Sequence, residues 1–338
     1  MPLKVSDIGE KELIKRILKK STKNIFNSSF FDNLSLKSLN DDAALINFGE
    51  QYLVATSDML FKSAHFPKEM THEQMGKKAV TVNVSDLAAM GAKPIGIIIS
   101  LGLPKNMLVD EFDELMDGII ESCLEYEMML IGGDTNESQE LTICGACLGI
   151  VNKDNVLMKS GARVGDIVAV TGPLGLASAG FEILFNNLEL SSDLKEIPLK
   201  HALNPEARSK KGVLIAEKGY ATSATDITDG LAKEIGELID ANSGKIGITI
   251  YEDLLPVPEE VIKVAEKIDK DPLDLVLYYG EDFELLLTID KNIFNQIKDE
   301  ISLYEIGCVT SSGKIVKISN DGTKKILEPR GYEHLSQK

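Results

Sequence analysis

The chain has 338 residues, 43% hydrophobic and 26% charged, with 53 Asp and Glu against 36 Lys and Arg for a net charge of −17. That length suits two domains rather than one small core, and the composition is that of an ordinary globular protein. The acidic balance argues against nucleic acid as a partner, since phosphate backbones are held mainly by Lys and Arg, and no apolar run approaches the ~18 residues that a membrane-spanning helix needs.

The N-terminal stretch SDIGEKELIKRILKK predicts an amphipathic helix with Asp7 and Glu10 at capping-box spacing. It lacks the uninterrupted apolar core of a signal peptide, so a cytoplasmic location is expected. Ser21 to Asn40, rich in Asn, Ser and Lys, predicts a loop ending in Asn40-Asp41-Asp42. A short apolar segment follows, and then a strand from Tyr52 runs into Thr56, Ser57 and Asp58. Oxygen donors in that arrangement suit Mg²⁺, while Asp41-Asp42 alone also reads as a turn.

The stretch Ala79 to Pro94, AVTVNVSDLAAMGAKP, carries one acid, Asp86, in a small apolar run. A helical period puts Ala79, Asn83, Asp86 and Met90 on one face, whereas Val80, Val82 and Val84 also permit a strand. Either element makes the carboxylate costly to bury without a cation or donors. Ile95 to Leu103 reads as a buried strand, Val109 to Glu127 as a helix, and Met128 to Ile131 as an apolar run ending in Gly132-Gly133-Asp134-Thr135. Paired glycines let backbone amides approach a ligand, or simply make a hairpin turn. Leu141 to Val151 predicts the strand closing the first domain.

That strand contains Cys144-Gly145-Ala146-Cys147, but residues three apart on a strand face opposite ways and no second pair completes a zinc set. With Cys123 and Cys308 the four cysteines are too scattered for a disulfide framework. A basic turn, Lys159 to Arg163, then leads into a strand and Gly172-Pro-Leu-Gly175, which is not a Walker loop. Residues Asn187 to His201 predict a loop or short helix. In ATSATDITDG, Asp226 and Asp229 stand three apart before the helix Leu231 to Ala241, a spacing at which like charges can share a face and favour a cation between them, while helix capping is the competing account for one acid of the pair. Glu281 and Asp282 sit at the mouth of a last apolar strand. An apolar element delivering an Asp thus recurs at Asp42, Asp58, Asp86, Asp134 and the Asp226/Asp229 pair.

Taken together, DDAAL at 41–45, TSDML followed by His65-Phe66, VNVSDLAAMGAKP, IGGDT, SGARVGD, VTGPLG, DITDGL, GEDFELL and Gly331-Tyr332 resemble the thiamine-monophosphate kinase family. That family belongs to the superfamily of aminoimidazole ribonucleotide synthetase and selenophosphate synthetase. The resemblance implies ATP-dependent phosphorylation of thiamine monophosphate to thiamine diphosphate, with ATP as co-substrate, several Mg²⁺ ions and an open question over a monovalent cation. It implies an α/β (α+β) fold of two domains: residues 1–152 bind ATP and Mg²⁺ and pair into a β-barrel across a homodimer, and residues 153–338 complete the substrate site. By similarity Asp42, Thr56, Ser57, Asp58, Asp86, Asp134, Asp226 and Asp229 would hold the metals. Gly133, Asp134, Lys159 and Thr228 would meet ATP, and His65, Glu281 and Tyr332 the thiamine substrate. Asn40, Lys159, Thr228 and Tyr279 depart from the family's usual Gly, Arg, Ser and Gly. Lys cannot bind phosphate bidentately, which leaves Arg163 as an alternative nucleotide contact.

The resemblance also weighs against two relatives. A selenophosphate synthetase calls for a reactive residue near the N-terminus, where the first cysteine here is Cys123, and hydrogenase maturation relatives carry a C-terminal cysteine where this chain has His334-Leu-Ser-Gln-Lys338. An acidic metal-binding scaffold without turnover is the reading from a different class.

Overall fold

The structure, a computed structural model, describes residues 4–22 and 41–333. Helix α1 (Gly9–Thr22) extends past Ser21, and the rest of the expected loop, with Asn40 and the C-terminal His334, lies outside the described residues. Asp7 does not cap α1. Its carboxylate accepts from the Lys4 amide at 2.7 Å and closes a short 3₁₀ turn ahead of the helix.

Five strands build the first sheet: β1 (Ala44–Phe48), β2 (Gln51–Phe61), β3 (Lys93–Leu103), β4 (Met129–Glu137) and β5 (Thr142–Asn152), in the order β1-β2-β5-β3-β4. All neighbours are antiparallel except β3 and β4, which run parallel. A parallel pair needs a crossover, here helix α4 (Val109–Glu125). After β2 comes a single turn, α2 (Lys62–His65), and then α3 (His72–Ala89), which contains Asp86. The valine alternation permitted a strand there, but the helix start is fixed by a capping box. Thr71 accepts from the Gln74 amide at 3.2 Å and the Gln74 side chain accepts from Thr71 N at 2.9 Å. Burial on both sides then outweighs the modest helix propensity of valine.

Helices α3 and α4 cover one face of this sheet with a core that includes Val80, Val84, Leu87, Ile97, Leu115, Ile119 and Ile143. The other face is open within this chain. Met59, Ile95, Ile98, Met129 and Ile131 are each at least 40% exposed. Ile95 to Leu103 is therefore buried on one side only. The sheet is not closed into a barrel among the described residues. Gly132 and Gly133 lie within β4 rather than in a hairpin turn.

The second sheet has seven strands: β6 (Ile167–Val170), β7 (Ala221–Asp226), β8 (Gly247–Tyr251), β9 (Leu285–Ile289), β10 (Tyr304–Thr310), β11 (Ile315–Ile318) and β12 (Lys324–Leu327), ordered β12-β11-β8-β10-β6-β9-β7. Between them run α5 (Leu176–Phe185), α6 (Ser192–Leu203), α7 (Ser209–Lys218), α8 (Leu231–Ala241), α9 (Glu259–Lys267), α10 (Pro272–Leu277) and α11 (Lys291–Ile297). Helix α6 occupies most of the stretch expected to be a loop or short helix. Alternate residues of β6 serve the two sheet faces, as the strand period requires. Val168 and Val170 face α5, α8, α9 and α10, whereas Ile167 and Ala169 join α7, α11 and the end of α3.

That last core ties the sheets together, because Ala88 and Ala89 of α3 are buried in it. The contact is a backbone approach: a Cβ on Gly212 of α7 would stand 2.2 Å from the Ala88 carbonyl oxygen. Only glycine allows the two helices to meet so closely.

Candidate active site

Between the two sheets lies a cleft of about 370 Å³ walled by oxygen-bearing side chains. Strand β2 supplies Thr56, Ser57 and Asp58, helix α3 supplies Asp86, and the segment before β1 supplies Asp41 and Asp42. The turn leaving β7 contributes Asp226, Thr228 and Asp229, while Lys159 enters from the segment after β5 and α1 reaches the rim with Glu10. The sequence spacing suggested that Asp226 and Asp229 share a helix face. Instead Asp226 ends a strand and Asp229 precedes α8, so the chain turn sets their separation.

Each acid has a defined support. Thr56 donates to Asp86, and Ser85 donates to Asp226. Asn83, fully buried, donates to the Ala79 carbonyl at 3.0 Å and accepts from the Asp58 amide at 3.2 Å, which locks β2 against α3. Ser57 is turned differently from Thr56. Its hydroxyl donates to the Gly145 carbonyl at 2.8 Å. Lys159, 7% exposed, reaches Asp42 at 2.9 Å and Glu237 at 2.6 Å, whereas Arg163 is exposed and does not line the cleft.

Carboxylates outnumber cations here, and their protonation equilibria show it. Burial and the Asp42 charge push Asp41 up to about 6, burial and Asp229 push Asp58 up to about 6, and burial with Asp42 pushes Asp226 up to about 7. Asp86 is held well above the usual carboxylate range by burial and by Asp58, Asp226 and Asp42. Burial raises Asp42 too, although Lys159 opposes it. Desolvation works against the charge on Lys159, but Asp42 and Glu237 outweigh it and raise its pKa.

Among the described residues no three His, Cys, Asp or Glu side chains already form a cage around one point. The donor set nonetheless fits a hard cation. Buried Asp42 Oδ2 has no hydrogen-bond partner, and its neighbours are hydroxyl and carboxylate oxygens in mutual repulsion. A divalent ion would relieve both features.

Gly133 and Asp134 are not part of this wall. They are exposed on β4 at the far edge of the sheet, where Asp134 accepts from the Asn136 amide group at 2.7 Å. The expected substrate residues form a second group beside the cleft. Glu281 N donates to the Thr228 carbonyl, and Tyr332 N to the Asp229 carbonyl, each at 2.9 Å. His65 Nδ1 accepts from the Phe61 amide at 3.0 Å. Gly280 packs so tightly on Thr228 that an added Cβ would lie 1.8 Å from its carbonyl oxygen.

Sequence reasoning weighed Asp41 with Asp42 as an oxygen donor but missed Lys233, Glu234 and Glu237 as cleft residues and Lys78 beside it. Asp229, Lys233 and Glu237 stand four apart in the sequence, which was the available signal for a shared face. Lys233 indeed meets Asp229 at 2.5 Å, and Glu234 accepts from the Asp229 amide at 3.1 Å. Glu234 is 3% exposed and lies well above the usual range through burial, Glu237 and Asp229. Lys78 offered no such signal.

Comparisons with known proteins agree on what this architecture is. Residues 40–151 match the family model of the AIR synthase related protein N-terminal domain, and residues 163–318 that of its C-terminal domain. The thiamine-monophosphate kinase of Pyrococcus horikoshii is 38% identical over 306 residues, covering 90% of this chain and 94% of that protein. That of Bacillus subtilis is 32% identical, covering 88% and 93%. A solved structure of AaThiL complexed with AMPPCP and TMP is 30% identical and superposes with a TM-score of 0.86, over 99% of both chains. The hydrogenase maturation protein HypE, at 18% identity and a TM-score of 0.70, shares the fold. With two family domains in sequence and relatives aligned along nearly its whole length, the chain belongs to the thiamine-monophosphate kinase family.

Proposed function

We propose that this chain transfers the terminal phosphoryl group of ATP to the phosphate of thiamine monophosphate, giving thiamine diphosphate. The observation that carries the reading is the convergence of Asp42, Asp58, Asp86, Asp226 and Asp229 on one cleft, with a buried carboxylate oxygen left unpartnered. The AaThiL complex with AMPPCP and TMP supports the choice of substrates.

Mg²⁺ bound to these acids would neutralise the phosphate oxygens of both substrates. Asp42, Thr56, Asp58, Asp86, Asp226 and Asp229 are the residues here that would hold it. Lys159 and Thr228 border the same space and meet the nucleotide in this reading. Glu281, Tyr332 and His65 orient the acceptor from the adjoining turn. An acceptor phosphate is already ionised, so no side chain need act as general base. Positioning and charge neutralisation then carry an in-line transfer.

Two further parts complete the proposal. The open apolar face of the first sheet and its β4 edge fit a homodimer closed by pairing of residues 1–152. Gly133 and Asp134 sit on that edge, and in this reading they serve the nucleotide within the dimer. No helix among the described residues is long and apolar enough to cross a membrane, and we place the enzyme in the cytoplasm.

Phosphorus NMR of the protein with ATP, Mg²⁺ and thiamine monophosphate tests the reading. Thiamine diphosphate and ADP should appear in equal amounts. ADP with free phosphate and no thiamine diphosphate would replace the kinase with a related synthase.

A further inference from the structure

We infer that Lys78 is a positioning residue for the phosphate acceptor, acting through Glu281 and His65; the inference rests on the acceptor reading above. Lys78 projects from α3 and is 1% exposed. Its ammonium donates to Glu281 Oε1 at 2.7 Å and Oε2 at 2.6 Å, and to the His65 carbonyl at 2.8 Å. The rings of Phe66 and Phe181 flank it, with centroids at 5.9 and 5.7 Å. One cation therefore joins both expected acceptor residues and bridges the first sheet's helix to the second sheet's turn.

Stability alone does not require a lysine here. A buried ion pair is often no better than an apolar side chain of the same length, and an apolar chain would pack against the two phenyl rings without desolvating a charge. What the ammonium adds is orientation. Glu281 occupies the left-handed region with φ +68°, which a non-glycine residue holds only when its surroundings fix it. Its amide is fixed on Thr228 and its carboxylate on Lys78. A carboxylate offers about four lone-pair sites. Lys78 takes one site on each oxygen, and the Glu281 side chain is still 27% exposed, so sites remain to accept from a donor group of the acceptor.

Steady-state kinetics on Lys78→Met, Glu281→Gln and the double variant test this, with ATP and thiamine monophosphate varied separately. Lys78→Met should raise KM for thiamine monophosphate about tenfold or more, while kcat and KM for ATP stay within about threefold. The double variant should be no worse than Glu281→Gln, because the two residues act as one unit. An unmoved KM for thiamine monophosphate, additive losses, or equal rises in both KM values would overturn the inference. If Lys78→Met does not fold, Lys78→Gln takes its place, since it keeps a donor for His65 but no charge. Full affinity in Lys78→Gln would equally overturn the role of the ion pair. Wild-type enzyme run alongside separates the two levels: absence of thiamine diphosphate there overturns the kinase reading, whereas wild-type turnover beside an unaffected variant overturns Lys78 alone.

Discussion

The two halves of the site are built on opposite electrostatic plans. In the acidic cleft, carboxylates from five chain segments crowd around Lys159 and Lys233, several held above their ordinary pKa and one oxygen of Asp42 unpartnered. On the proposed acceptor side, the Glu281 carboxylate is matched by Lys78, and the turn carrying it is bonded to Thr228. The first region carries more negative charge than its own two lysines balance. The second is finished in the chain itself. In the proposed reading the excess of carboxylates is the place for the ligand's own ions, and the satisfied network is the place where the protein supplies shape and orientation.

The sharpest way to break this contrast is at Asp86. Asp86→Asn should abolish measurable turnover, a loss on the order of 10³ or more in kcat, while the metal-free fold persists because Asn keeps an acceptor for Thr56 at a position where burial and neighbouring acids already disfavour the charged carboxylate. An unchanged rate at saturating Mg²⁺ would remove Asp86 from the metal set. Next comes the prebuilt side. Gly280→Ala drives a methyl group into the Thr228 carbonyl and should cost about 2–3 kcal/mol of stability, read by chemical denaturation. Wild-type stability there would show that the turn yields easily.

Mg²⁺ itself should act only on the cleft. Asp41 and Asp58 rise to about 6 and Asp226 to about 7, from an ordinary 3.8, so the folded protein holds protons that the unfolded chain has released. Metal-free stability must then fall as pH climbs from about 4 to about 7. Added Mg²⁺ should restore it at pH 8, by about 2.7 kcal/mol at a concentration 100-fold above its Kd, and have little effect at pH 5. Thermal melts at the two pH values decide this, and equal Mg²⁺ effects at both would show that the acids are not paired with the ion. The smallest change is expected at Arg163. Exposed and outside the cleft, it should tolerate alanine with stability within about 0.5 kcal/mol and an unaltered KM for ATP, whereas Lys159→Met should raise that KM. A reversal of the two would make Arg163 the nucleotide contact.

How far the sequence led depended on whether a residue's neighbours were close in the chain. Asp42, Asp58, Asp86, Asp226 and Asp229 were legible because each ends or interrupts an apolar element, and the structure brings them to one cleft. Asp86 was ambiguous in setting, since alternating valines match a strand until the Thr71 cap and the two-sided core fix a helix. Asp134 follows the same local pattern, yet the strand order puts it on the opposite edge, a fact of topology that no local pattern carries. Lys78 was invisible for a related reason. Its partner lies 203 residues away, and a lysine in an amphipathic helix ordinarily reads as solvated surface.

The backbone contact between Ala88 and Gly212 bears on how the molecule comes apart. Asp86 lies two residues before a crossing with no side chain between the helices, in a core that both sheets share. Opening one sheet from the other would strip that core and expose Ala88, Ala89 and Ile215 together. The two halves should therefore melt in a single cooperative transition, and the amide hydrogens at the end of α3 should exchange with solvent only when the whole chain unfolds.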